Sequence, residues 1–123
     1  MNSKTLSKLF TLNHRVLTTN IQGISAAESF RAPRPAGNSL NWVVGHLTSS
    51  RHGLLAMLGE PEFWPGDGPK RYARGSDPIE GEEGAESWDR LVSLFDGSQA
   101  LLIARVGRTK TSLRRWAGSP TGR

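Results

Sequence analysis

The chain has 123 residues, 36% of them hydrophobic, with 16 Lys/Arg against 11 Asp/Glu and no cysteine. That length fits one domain with a modest core, and the lack of cysteine excludes disulfides, thiolate catalysis and cysteine-based zinc sites, as in a cytoplasmic protein. The longest apolar runs, residues 54–58 and 100–104, fall far short of the roughly 20 residues of a membrane span, and Met1-Asn2-Ser3-Lys4 leads into amphipathic sequence instead of a signal peptide.

The first predicted helix covers about residues 5–21, where Leu6, Leu9, Phe10, Leu12, Val16, Leu17 and Ile21 recur with helical spacing. Ser25-Ala26-Ala27-Glu28 has the form of a capping box and predicts a short helical turn, ended by Pro33, Pro35 and Gly37. The second long helix, residues 39–59, is capped by Asn38 or Ser39 and stopped by Gly59 and Pro61. Its interior keeps Gly45 and Gly53, which predicts a close approach that repays their low helix propensity. Residues 60–85 are rich in glycine and proline and read as a loop, pinned to the rest by Phe63, Trp64 and Tyr72. A third helix spans residues 86–105 and completes a helical domain over 1–105. Residues 106–123 lose apolar periodicity and read as a disordered basic tail. Six Lys/Arg and no acidic residue lie from Arg105 onward, whereas residues 1–104 carry ten basic and eleven acidic residues. Such a tail can attract phosphate. Without Lys/Arg–aromatic interleaving elsewhere, nucleic acid is not an expected partner, nor is a membrane.

Three histidines are present: His14, His46 and His52. At about 100° per residue the aliphatic stripe of the second helix centres near Leu47 and Leu58, with His46 about 120° to one side and His52 about 120° to the other. These two cannot share a metal. Trp42, Ser49, Ser50, Gly53 and Met57 lie on the side of His46 and make a second, mixed face suited to lining a cleft. His52 reads as a solvent residue. A catalytic zinc-type site needs about three nitrogen or oxygen ligands, and the chain offers His46 alone. The acids Glu80, Glu82, Glu83 and Glu86 read as a solvated run. No nucleophile elbow, phosphate loop or His-Glu-x-x-His helix occurs.

Asn41-Trp42-Val43-Val44-Gly45-His46-Leu47, followed by Arg51 and by Leu54-Leu55 and Leu58-Gly59, resembles the start of helix two in the DinB/YfiT superfamily. Pro33, Pro35, Gly37-Asn38-Ser39 and Ser87-Trp88 match the same layout, so the resemblance spans about residues 5–105. It implies an all-α fold, an antiparallel up-down bundle of four helices. It also implies a divalent metal, zinc or nickel, held by three histidines. His46 matches one of them; the other two come from a His-x-x-x-His pair on the last helix. Some members are S-transferases using the small thiols mycothiol or bacillithiol, the metal lowering the thiol pKa.

No histidine follows His52, and arginine-rich sequence stands where a fourth helix belongs. The expectation is therefore a member truncated or frameshifted before a missing or degenerate fourth helix. Its function would be of the metal-dependent, thiol S-transferase type with an incomplete site and impaired activity. The alternative is a non-catalytic degenerate bundle or dimerisation module. A three-helix remnant would expose an apolar groove, through which a homodimer is expected.

Overall fold

A computed structural model describes residues 2–33 and 37–117. Its elements in chain order are α1 (Ser3–Asn20), α2 (Ala26–Ser29), α3 (Leu40–Met57), α4 (Gly68–Arg71) and α5 (Trp88–Ala117), and no strand occurs among the described residues. The fold is all-helical. No helix is long and apolar enough to cross a membrane among the described residues.

The starts of these helices follow from local chemistry. The Asn2 side chain accepts from the Thr5 amide at 2.8 Å and caps α1. At α2 the Ser25 hydroxyl accepts from the Glu28 amide while the Glu28 carboxylate accepts from the Ser25 amide, a complete capping box. Ser39, not Asn38, caps α3: its Oγ accepts from the Trp42 amide and donates to the Ile79 carbonyl at 2.5 Å, joining the helix start to the distant crossover.

α5 packs against both α1 and α3 and is the central element. Pairs across α1 and α5 run in opposite senses: the Ile24 carbonyl accepts from the Trp88 indole, His14 meets Asp96, and Thr11 accepts from Gln99. Pairs across α3 and α5 rise together, from Asn41 with Glu86, through Arg51 with Ser98, to Gly59 and Glu60 with Arg105. α3 and α5 are therefore parallel, which corrects the expected alternation of antiparallel neighbours. The cause is the segment between them. A tight turn would have reversed the chain, but residues 58–87 cross the length of the bundle and return it to the starting end.

The C-terminal reading also needs correction. α5 does not fray at residue 105; it continues to Ala117. Between Gly107 and Gly118 the sequence contains neither glycine nor proline, and its arginines, lysine, leucine and alanine are good helix formers, so lost apolar periodicity did not mean lost helix. Residues 118–123 of the expected tail lie outside the described residues.

The main core gathers where the crossover meets the helices, with Ile21, Val44, Trp64, Tyr72, Ile79, Trp88, Leu91 and Phe95 in one buried cluster. On α3 the buried face is Asn41, Val44, Gly45, Thr48, Arg51 and Leu55. The aliphatic stripe read from the sequence lies about 80° round the helix from this face, and Leu47 is exposed. α3 is held by α5 on one side and by the crossover on the other, so the face between them is buried, polar residues included.

Candidate functional site

His46 sits on the first half of α3 under the crossover, and each neighbour is fixed by a named contact. Its Nδ1 lies 3.0 Å from the Tyr72 carbonyl oxygen. A carbonyl only accepts, so Nδ1 carries a proton and donates this bond. Trp42, one turn earlier, stacks on the imidazole with centroids 4.7 Å apart and planes 8° from parallel. The Trp42 indole donates to Ser76 Oγ at 2.9 Å. Ser49 Oγ donates to the Pro69 carbonyl at 2.7 Å.

Tyr72 is the hub of this arrangement. Its hydroxyl donates to Asn41 Oδ1 at 2.6 Å and accepts from the Glu86 amide at 2.9 Å, while Asn41 Nδ2 donates to the Glu86 carbonyl at 3.1 Å. Both side chains are fully buried, and every polar atom in the triangle has a partner. Burial raises the phenol pKa above its ordinary 10.0, against the opposing bond from Glu86, so the hydroxyl stays protonated and keeps donating. The Tyr72 ring lies against the backbone of Gly45, where any Cβ would collide with it. That is the close approach the sequence anticipated at Gly45. Gly53 shows none; nothing stands within 4 Å of where its Cβ would be.

The mixed face of α3 is thus divided. Trp42 and Ser49 join His46 beneath the crossover. Ser50 is exposed and bonds back to the His46 carbonyl at 3.1 Å, Gly53 is exposed, and Met57 is 83% exposed. The crossover roofs the half of the face that carries His46 and leaves the other half to solvent.

The other histidines lie elsewhere. His14 turns toward α5, with Nε2 3.2 Å from Asp96 Oδ1 and the ring stacked on Phe95 at 5.0 Å. Its Nδ1 is buried and has no hydrogen-bond partner among the described residues. Burial lowers the His14 pKa from 6.5; Asp96 opposes the shift and Arg51 adds to it. His52 is half-buried near Phe63, with centroids 6.5 Å apart, and is not the solvent residue expected. Arg51 is 7% exposed and lies over the Phe95 ring at 4.2 Å, donating to Ser98 Oγ at 2.8 Å. Its burial pushes the guanidinium pKa down to about 10, with Asp96 opposing. This cluster of Arg51, His14 and Asp96 escaped the sequence reading because its members come from three helices at unrelated spacings.

A three-histidine metal centre does not fit these residues. No group of three His, Cys, Asp or Glu capable of holding a metal occurs among the described residues. After Asp96 the sequence contains none of these four residue types. The polar groups described around His46 are the Tyr72 carbonyl, the Trp42 indole, which is engaged by Ser76, and the hydroxyls of Ser49 and Ser50, which are engaged with backbone carbonyls.

Residues 9–120 match the family model DinB_2, described as the DinB superfamily. No curated protein and no solved structure matches the chain.

Proposed function

The chain belongs to the DinB superfamily, and from that premise and the donor set around His46 we propose that it is a non-catalytic member, an interaction bundle. In this reading His46 fastens the crossover to α3 and does not serve as a catalytic metal ligand. One observation carries it: among the described residues His46 belongs to no group of three His, Cys, Asp or Glu able to hold a metal, and its contacts are the Trp42 ring and the Tyr72 carbonyl. The test is the metal content of protein grown with added zinc and nickel and purified without chelator. The expected result is the same low content in wild type and His46→Ala. Near-stoichiometric metal in wild type that disappears in the variant overturns the reading.

The second reading is a metal-dependent S-transferase for a small thiol such as mycothiol or bacillithiol, with its remaining ligands supplied from outside these helices. It is favoured by the bond from His46 Nδ1 to the Tyr72 carbonyl, since a metal-binding imidazole ordinarily donates its other N–H to a carbonyl or carboxylate. The same metal analysis separates the two.

An interaction bundle needs a surface. On α1, Leu9 (41%), Leu12 (53%) and Val16 (50%) are exposed at one-turn intervals, and Leu47 of α3 is also exposed. We propose a second copy of the chain as the occupant of this strip. Sedimentation should give a dimer that Leu12→Glu converts to monomer; a wild-type monomer at all concentrations refutes the assignment.

A further inference from the structure

A groove of about 520 Å3 runs between the first half of α1 and the part of α5 around Ile103 and Gly107. Its α1 wall repeats every turn. Ser3, Ser7 and Thr11 form one row, and Lys4, Lys8 and Arg15 flank it. At 1.5 Å of rise per residue, Lys4 and Lys8 are about 6 Å apart along the axis, with Arg15 about 10 Å further on. All three cations are exposed, and none pairs with a carboxylate among the described residues.

The sequence explains why no carboxylate is near. No acidic residue precedes Glu28 and none follows Asp96. Residues 1–27, which include α1, and residues 97–123, which include the second half of α5, hold nine Lys/Arg and no Asp/Glu, whereas residues 28–96 hold seven against eleven. The antiparallel packing of α1 on α5 brings the described parts of these two acid-free segments together at one end of the bundle. Of the nine, Arg105 is engaged by Glu60 at 2.8 Å. α5 then continues as helix for ten residues past Gly107, about 15 Å, a stretch whose sequence includes Arg108, Lys110, Arg114 and Arg115.

We infer that this groove binds the phosphate backbone of double-stranded nucleic acid, without sequence preference. The cations lie in a line with hydroxyls beside them, and such side chains position a protein on phosphates without reading bases. Among the described residues the groove has no aromatic lining residue, so they offer a single strand no stacking platform. Its concavity suits a ridge of phosphates entering between two helices more than a flat bilayer surface. The charge reading from sequence weighed the tail alone; the fold adds α1 to it. This inference stands independently of whether His46 binds metal.

The test is fluorescence anisotropy with a labelled 20-base-pair duplex of arbitrary sequence. With about three phosphates neutralised by Lys4, Lys8 and Arg15, log K should fall with log salt at a slope near −2.7, or about 40-fold in affinity from 50 to 200 mM salt. Lys4→Ala/Lys8→Ala should flatten the slope by about 2 and weaken binding tenfold or more at 50 mM salt. Its thermal melt should match wild type, because both side chains are exposed. Unchanged duplex affinity in that variant overturns the inference. So does complete loss of binding in Arg114→Ala/Arg115→Ala with no contribution from α1, or tighter binding to phosphatidylserine vesicles than to duplex.

Discussion

Replacing Gly45 by alanine tests the account of the crossover most simply, because Gly53 on the same helix offers the same chemical change with the opposite expected sign. At Gly45 the new methyl meets the Tyr72 ring. Forcing an extra methyl into a packed contact costs about 1–3 kcal/mol. A displaced ring also abandons Asn41 Oδ1 and the Glu86 amide, each lost bond costing about 1 kcal/mol. Alanine recovers about 1 kcal/mol through helix propensity, leaving a net loss of about 2–4 kcal/mol. At Gly53 only the propensity term operates, so Gly53→Ala should stabilise by up to about 1 kcal/mol. Urea unfolding followed by circular dichroism at 222 nm measures both. If Gly45→Ala is as stable as Gly53→Ala, Tyr72 does not lock the crossover onto α3 and the site geometry described above is wrong.

Three further outcomes follow from the same contacts. Ser39→Ala removes both the α3 cap and the buried bond to Ile79, and should cost about 1–3 kcal/mol in the same assay; a loss below 0.5 kcal/mol, roughly the scatter of a neutral surface change, counts against that double role. Arg51→Met keeps the stem over Phe95 while removing a desolvated cation, and should stay within about 1 kcal/mol of wild type, whereas Arg51→Ala should lose about 2–4 kcal/mol; equal losses would mean the charge matters more than the packing. For His14, burial keeps the folded pKa below 6.5, so near that pH the unfolded chain binds more protons than the folded one. Stability should therefore fall as pH drops through 6.5 toward the lowered folded value, and His14→Gln should flatten that part of the profile. A profile identical to wild type would show that the buried imidazole is not responsible.

The local parts of the fold were legible because they rest on local chemistry: the Ser25–Glu28 capping box, a cap at the start of α3, and a helix ended by Gly59 and Pro61. The parallel packing of α3 and α5 was not, because no pattern within one helix reports the direction of its neighbour. The buried face of α3 was misread for a related reason. Asn41, Thr48 and Arg51 look like surface residues by type, yet they are buried with their hydrogen bonds met: Thr48 by the Val44 carbonyl one turn back, and Asn41 and Arg51 by Glu86 and Ser98 from positions that only the fold defines. The length of α5 was missed because apolar periodicity was given more weight than the absence of helix breakers. At the site, helix periodicity set His46 on a second face about 120° from the aliphatic stripe, but its actual partners, the Tyr72 carbonyl and the roof over Trp42, belong to a glycine- and proline-rich segment whose path leaves no periodic trace.

The central claim is that His46 holds the crossover and does not anchor a metal centre. Calorimetric titration of zinc into chelator-treated protein, beside the same titration of His46→Ala, addresses it most directly. The account predicts weak binding that is the same in both, as for isolated surface histidines. Stoichiometric binding of submicromolar affinity in wild type, lost in the variant, would contradict it.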